Sequence, residues 1–263
     1  MAPGQTMGMT MASTNPVERA DRRALRWELG LLLTVTFGAS GVRAVLRLVE
    51  AVSQPEALNE QQATLNRQQS GLWWLDPAFQ LVSTGVLFAW GGMAVFLLLR
   101  HVPPPAGWMT WRLRWRGDWA HGVGLAAVIG LPGLVFYFAA VQLSLSKQVV
   151  PSGLDDNAWE LPLLVLNSWA NGFAEEVIVV AWLAVRLRQL RVSWAWVFVA
   201  SAGLRASYHL YQGFSAGLGN AVMGVVYLWY FKKTGRIWPL VIAHGLIDTV
   251  AFVGYAVGLP HGF

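Results

Sequence analysis

The sequence predicts an all-α fold, a polytopic transmembrane helical bundle of about seven helices with its N-terminus in the cytoplasm. Three observations lead to this prediction. Hydrophobic residues make up 55% of the chain and charged residues only 13%, whereas soluble domains carry about 25% charged residues. The mean hydropathy is +0.45, and the apolar residues fall into runs long enough to cross a bilayer. Basic residues cluster in every second segment between those runs, as the positive-inside rule expects of cytoplasmic loops.

Seven apolar runs approach the roughly 20 residues that a spanning helix needs. They cover residues 27–49, 77–99, 119–145, 161–185, 193–211, 214–231 and 237–258. The first run is the least regular, because Arg43 and Arg47 lie in its second half and must snorkel or line a cavity. The second, third and sixth runs contain no Asp, Glu, Lys or Arg, whereas the fourth, fifth and seventh carry ionisable side chains.

The segments between the runs predict the orientation of the helices. Four segments are basic, with Arg19, Arg22, Arg23 and Arg26, then Arg100, Arg112, Arg114 and Arg116, then Arg186, Arg188 and Arg191, then Lys232, Lys233 and Arg236. The three alternate segments are acidic or neutral, with Glu50, Glu56 and Glu60, then Asp155, Asp156 and Glu160, then Gln212 and Gly213. The positive-inside rule therefore places the N-terminus in the cytoplasm and the C-terminus outside.

The chain divides into three predicted parts. Residues 1–26 are interpreted as a flexible cytoplasmic tail, because no apolar stretch beside their charges resembles a signal peptide. Residues 27–158 hold the N-terminal transmembrane helices, and residues 159–258 hold the helices with ionisable groups. The chain has no cysteine, which excludes disulfides, thiolate metal sites and cysteine nucleophiles. The net charge of +5 lies in short loop clusters, so no nucleic-acid partner is predicted.

Two adjacent glutamates, Glu175 and Glu176, lie in the middle of the fourth run. A carboxylate at bilayer depth costs several kcal/mol, about 2.5–3.5 on insertion scales, so such residues usually face a protein interior or a water-filled cavity. Asn167, Asn171 and Glu175 are spaced by four and share one helix face. Glu176 is rotated about 100° away, so we expect it to face other partners. The two asparagines are interpreted as contacts between helices and stay outside the predicted catalytic set.

Two further helices carry polar pairs with the same spacing of four, Arg205 with His209 and His244 with Asp248. Together with the glutamates they predict a site that activates water. A desolvated carboxylate can act as a general base near neutral pH. One histidine can hold the water or shuttle its proton, and a second can donate to a developing oxyanion. These groups suffice for amide hydrolysis without a covalent nucleophile.

The three motifs resemble those of the CPBP family, the intramembrane peptidases that include CAAX prenyl proteases and Abi-type, bacteriocin-processing enzymes. The family motifs EExxxR, FxxxH and HxxxN or HxxxD correspond here to AEEVIVV, RASYHLYQG and AHGLIDTV. The resemblance covers about residues 160–255, so residues 159–258 become a catalytic, CPBP-like core. It implies that Glu175 activates water with the help of His209. It also implies that His244 and Asp248 form the oxyanion site and that Glu176 orients the site through the arginine of the motif.

This chain departs from the family pattern at three positions. Val180 stands where the first motif has its arginine, and Arg205 stands where the second has phenylalanine. Unpaired charges at this depth would both be costly, so we expect Arg205 to pair with Glu176 in place of the missing arginine. Asp248 stands where the best-known eukaryotic members have asparagine. An ionised aspartate would repel an oxyanion, so it must be protonated or must orient His244 instead.

The sequence leaves several alternatives open. The main prediction is a peptidase that cleaves a membrane protein or peptide near the cytoplasmic side of the plasma membrane, without a cofactor. A catalytically silent scaffold or immunity protein is one alternative, and a proton-coupled transporter is another, because acids and histidines also build proton relays. Zinc held by Glu175, His209 and His244 is a variant of the peptidase, although the chain lacks the HExxH motif.

Overall fold

The structure, a computed structural model, describes residues 16–153 and 159–256. The helices are α1 (Pro16–Val35), α2 (Phe37–Val52), α3 (Asp76–Arg100), α4 (Trp115–Gln142), α5 (Glu160–Glu175), α6 (Leu183–Gln189), α7 (Trp194–His209), α8 (Phe214–Thr234) and α9 (Trp238–Ala256). A π-helical segment, Glu176–Trp182, joins α5 to α6 into one continuous helix. The predicted all-α transmembrane bundle is thereby confirmed, and each of the seven apolar runs forms helix.

The first predicted helix differs most from expectation. It is broken at Thr36 into α1 and α2, which are bent by 46° relative to each other. Helix α1 already begins at Pro16, so the predicted flexible tail, residues 1–26, is helical from that point onward. Three predicted parts lie outside the described residues: residues 1–15 of the tail, Asp155 and Asp156 of the second acidic segment, and residues 257–258 of the seventh helix.

Not every predicted helix is long and apolar enough to span a bilayer alone. Among the described residues, four helices meet that test: α3, α4, the continuous helix Glu160–Gln189, and α8. The bent pair α1 and α2 would make a fifth span, and the apolar part of α9 is shorter, Trp238–Gly254. Helix α7 has only 16 residues and includes Arg205 and His209. These short helices bury polar groups inside the bundle rather than presenting a long apolar surface to lipid.

Two short strands, which the sequence did not predict, join distant loops. Strand β1 (Gln62–Arg67) follows α2, and strand β2 (Gln148–Gly153) follows α4. They pair in parallel with Thr64 opposite Val150. Because parallel strands need a long crossover, this pairing depends on helices α3 and α4 bringing the two loops together. Nothing local in the segment QATLNR indicates a strand.

The basic segments meet at one end of the bundle, here called the basic end. Thr110 in the loop after α3 pairs with Arg236 in the loop before α9, and Arg236 forms an ion pair with Asp118 at the start of α4. The opposite end, here called the strand end, holds β1, β2 and the turn between α7 and α8, where Ser146 pairs with Gly213. The alternation of basic and non-basic segments therefore corresponds to two ends of one bundle.

Arg186 corrects one sequence prediction, because it is not a loop residue. It lies in α6 and is fully buried. Its guanidinium donates to the carboxylate of Glu28 at 2.6 Å, to the side chain of Gln189, and to the carbonyl oxygens of Leu97, His101 and Val102. The guanidinium thus ties α6 to the C-terminal half of α1 and to the end of α3. A count of loop charges cannot separate such a buried arginine from a solvated one.

Helices α5 and α9 cross closely because glycine lies on both sides of the contact. A Cβ atom at Gly172 would lie 3.0 Å from the backbone nitrogen of Gly245 and 3.3 Å from Cβ of His244. Beyond this crossing, every residue from Ala174 to Arg186 is buried. The close approach brings the two glutamates of one helix next to the histidine of the other.

Candidate active site

The two adjacent glutamates meet at a single guanidinium. Glu175 ends α5, Glu176 begins the π-helical segment, and both are buried. Nη2 of Arg205 lies 2.7 Å from Oε1 of Glu176, and Nη1 lies 3.4 Å from Oε2 of Glu175. The expected pairing of Arg205 with Glu176 is therefore present. Glu176 was expected to face other partners than Glu175. The two side chains share Arg205, but the second partner is His244 for Glu176 and Tyr208 for Glu175.

Arg205 is fully buried within this site. Its guanidinium lies 5.7 Å from the ring centre of Tyr227, a distance suited to a cation–π interaction. Its Nη1 also contacts the sulfur of Met223 at 3.8 Å. One buried cation against two carboxylates leaves these three groups with a net negative charge. A protonated histidine or a proton on one carboxylate would neutralise it.

His244 lies between two carboxylates; it is buried together with Glu176, whereas Asp248 is partly exposed. Its Nδ1 is 2.7 Å from Oε1 of Glu176, within hydrogen-bonding distance. Its Nε2 is 3.6 Å from Oδ2 of Asp248, which is too long for a hydrogen bond. Asn171 on α5 lies near Asp248 and interacts with its carboxylate electrostatically. Nε2 of His244 is consequently available to a further partner, while Glu176 fixes the orientation of the ring.

His209 is the last residue of α7 and is only partly buried. Its Nδ1 lies 2.9 Å from the carbonyl oxygen of Arg205, one helical turn earlier. That carbonyl can only accept, so Nδ1 carries the proton and Nε2 is left as an acceptor. Among the hydrogen bonds of the described residues, none joins His209 to Glu175. A water molecule would be needed to connect the two side chains.

Tyr208 is a site residue that the sequence analysis missed. Its hydroxyl donates to Oε2 of Glu175 at 2.6 Å, a shorter contact than the one from Arg205. Its ring packs against Phe37, with 4.8 Å between the centroids, and against His209 at 4.6 Å. In the sequence it is simply the neighbour of His209, and the family motif does not include it. The only available signal was a phenol beside ionisable groups in an apolar helix.

Three of these groups could approach a metal ion together. Ligand atoms of Glu175, Glu176 and His244 lie within 4.8 Å of one another. His209, the third ligand of the zinc variant, is not in this group. Arg205 contacts both carboxylates, and its positive charge would compete directly with a bound cation. The donor set of the described residues therefore fits a cation poorly.

The asparagines before Glu175 behave as contacts between elements. Nδ2 of Asn167 donates to Oδ1 of Asn66 at 2.6 Å and ties α5 to β1. Asn171 interacts electrostatically with Asp248 on α9. Both side chains therefore support the packing of α5, as the sequence indicated, although one partner is a strand and not a helix.

All six predicted site residues, Glu175, Glu176, Arg205, His209, His244 and Asp248, lie in the part of the chain that resembles a known family. Residues 157–250 match the family model of the Rce1-like, type II CAAX prenyl endopeptidases. The match covers about a third of the chain and confirms the resemblance to CPBP-family peptidases over that segment. No curated protein and no solved structure matches the chain.

Proposed function

We propose that this protein is an intramembrane endopeptidase that hydrolyses a peptide bond with water activated by Glu175. The observation that carries this proposal is the setting of Glu175, a buried carboxylate held by Tyr208 and Arg205. A held carboxylate beside two histidines has the composition of a general-base site. The family match over residues 157–250 supports the same class of reaction.

In the proposed reaction, Glu175 takes a proton from water while Nε2 of His209 accepts the second hydrogen of that water. The water oxygen attacks the peptide carbonyl carbon, and its electron pair moves onto the carbonyl oxygen. His244 acts here as the imidazolium, with Nδ1–H donated to Glu176, so that Nε2–H can donate to this oxyanion because its contact with Asp248 is too long to occupy it. Collapse of the intermediate breaks the C–N bond, and Glu175 returns its proton to the leaving nitrogen. Asp248, 3.6 Å from the same nitrogen, favours the positive charge of this ring as a nearby carboxylate and does not itself donate to the oxyanion.

The proposal requires no metal or other cofactor. Arg205 supplies the positive charge that a metal ion would otherwise bring to the two carboxylates. The expected partner is a membrane protein or peptide, and the expected location is the plasma membrane, with the chain crossing it several times. Cleavage near the cytoplasmic side, which the sequence suggested, stays a prediction, and the proposed reaction does not depend on the side.

A catalytically silent scaffold is the second candidate. Val180, in the position of the motif arginine, is fully buried in the apolar core, so the family's intrahelical ion pair is absent here. Arg205 forms the ion pair with Glu176 from another helix. If that substitution preserved the fold but not the chemistry, the protein would act by binding alone.

The test compares the N-termini of membrane proteins by mass spectrometry in cells with wild type, Glu175→Gln or no protein. A matched control is Glu56→Gln, which changes an exposed carboxylate in the loop before β1. We expect new N-termini with wild type and Glu56→Gln only, at equal protein levels. If wild type and Glu175→Gln give the same N-termini but differ from the null strain, the scaffold function replaces the peptidase.

A further inference from the structure

The site is sealed toward the basic end of the bundle. The thirteen consecutive residues from Ala174 to Arg186 are all buried. Ser201 of α7 donates to the carbonyl oxygen of Val179 at 2.7 Å, so α7 is hydrogen-bonded directly to the π-helical segment. Farther along, the buried Arg186 bonds to α1, to α6 and to the end of α3. Water entering from this end would have to pass an apolar stretch and then an occupied polar cluster.

The same helices become polar and partly exposed in the opposite direction. On α5, Asn171 and Asn167 lie one and two turns from Glu175 toward the strand end, and both are partly exposed. On α9, Asp248 lies one turn from His244 in that direction, with 23% of its side chain exposed. At the end of α7, His209, Tyr211 and Gln212 are partly exposed as well.

These two gradients have one physical interpretation. Asparagine and aspartate side chains are unfavourable where they face hydrocarbon. The same side chains are hydrated where they line a water-filled path. Along one face of α5, Asn167 and Asn171 are partly exposed, whereas Glu175 is only 2% exposed. A path from the strand end to Glu175 would therefore be lined by polar groups along its whole length.

We propose that water and the peptide substrate reach Glu175 from the strand end, which the distribution of basic residues places on the non-cytoplasmic face of the membrane. This inference rests on the proposed peptidase function and adds the class of substrate. That class is a peptide, or a segment of a membrane protein, whose scissile bond lies in the non-cytoplasmic half of the bilayer or outside it.

The absence of cysteine from the chain allows a direct test with single introduced cysteines. The probe is a membrane-impermeant, sulfonated maleimide added to intact cells and to permeabilised cells. Asn171→Cys and Gln212→Cys report on the path, and neither residue belongs to the catalytic set. Glu56→Cys marks the strand end, and Ala106→Cys marks the basic end, since both positions are exposed.

We expect the maleimide to label Glu56→Cys, Gln212→Cys and Asn171→Cys in intact cells, and Ala106→Cys only after permeabilisation. Labelling of Asn171→Cys solely after permeabilisation, in cells where Glu56→Cys is labelled from outside, would overturn the proposal. So would an absence of label at both path positions, which would mean that they face lipid. Labelling of Ala106→Cys in intact cells would reverse the orientation and also overturn it.

The labelling does not depend on catalysis, so the two proposals can fail separately. Asn171→Cys is therefore also labelled in the Glu175→Gln background, where we expect the same rate as with Glu175 present. Label without proteolysis in any variant would reject the peptidase but keep the polar path. Proteolysis by the wild type together with label only from the cytoplasm would keep the peptidase and reject the path.

Discussion

Glu175 is positioned by a neutral donor more closely than by a charged one. The hydroxyl of Tyr208 lies 2.6 Å from Oε2 of Glu175, and the guanidinium of Arg205 lies 3.4 Å from the same atom. A single oxygen of the carboxylate therefore receives both contacts, which leaves Oε1 free to take a proton from water. This arrangement makes Tyr208 a positioning residue for the base rather than a group that contacts the substrate.

Tyr208→Phe removes that hydrogen bond and little else. A hydrogen bond to a charged group contributes about 1.5–3 kcal/mol, so we expect kcat to fall by about tenfold to a hundredfold. KM is expected to stay within about twofold, because Tyr208 is buried behind Glu175 and does not line the polar path. Steady-state kinetics on a peptide found by the N-terminal comparison would measure both constants.

Tyr227→Phe is the matched control for this prediction. Tyr227 is also fully buried, and its hydroxyl is among the described polar atoms without a hydrogen-bond partner. Its removal should leave kcat unchanged and should not lower the unfolding temperature. Equal losses of kcat in the two variants would show that any buried hydroxyl near Arg205 matters, and the positioning role of Tyr208 would then be rejected.

Arg205 pairs with two carboxylates, so substitution of Arg205 and substitution of Glu176 should lower the free energy of unfolding by different amounts. Arg205→Met leaves two buried carboxylates without their cation, and we expect it to lower stability by about 3–5 kcal/mol. Glu176→Gln removes one of the two carboxylates and should lower stability by less than Arg205→Met does. The double variant should be more stable than Arg205→Met alone, as measured by thermal unfolding in detergent. A double variant whose loss equals the sum of the single losses would mean that the pair is not coupled.

At the scale of the elements, the crossing of α5 and α9 sets the distance between Glu176 and His244. Gly172 makes this crossing possible, because a side chain there would press on the backbone of Gly245 and on Cβ of His244. The π-helical segment begins one residue after Glu175. Its wider turn changes which of the side chains that follow the two glutamates face inward.

Gly172→Ala should therefore disturb catalysis through packing alone. The added methyl would lie 3.0 Å from the nitrogen of Gly245, so α9 must move by a few tenths of an ångström. Overpacking of this kind costs about 1–3 kcal/mol, and the displaced His244 should lower kcat/KM by about tenfold or more. Thermal unfolding and peptide hydrolysis would be measured together.

Gly203→Ala is the control for the crossing, since no atom lies within 4 Å of the added methyl group. It should leave hydrolysis unchanged and stability unchanged or higher, because alanine favours helix over glycine by about 1 kcal/mol. If Gly172→Ala behaves like Gly203→Ala, the helices can separate freely and the crossing does not set the geometry of the site.

At the scale of the whole molecule, the sequence predicted the helices well and the interior contacts unevenly. Apolar runs locate the helices because each helix that spans the bilayer needs an apolar run of its own. The pairing of Glu176 with Arg205 was also predictable, since both charges had to be neutralised at depth. The strands β1 and β2 and the contact of Tyr208 with Glu175 were not, because each depends on residues brought together only by the tertiary fold.

The contacts of Arg186 were likewise not predictable from the sequence, and they lead to a final prediction. It lies eleven residues beyond Glu175, or roughly 16 Å along a helix, and its guanidinium bonds to α1, α3 and α6 near the basic end. A lysine at this position offers three donors and lacks the planar fork, so it cannot satisfy all five acceptors. We expect Arg186→Lys to lower stability by about 3 kcal/mol, seen as a lower unfolding temperature.

The same change should leave kcat at a permissive temperature within about twofold of wild type, because the cluster around Arg186 contacts none of the catalytic groups. Arg100→Lys, at an exposed position near the end of α3, controls for the exchange of arginine for lysine and should change neither quantity. If Arg186→Lys keeps its unfolding temperature but loses hydrolysis, the basic end takes part in catalysis. Closure of that end would then be a regulated state, and substrate access from the strand end would have to be tested again with the Arg186→Lys variant.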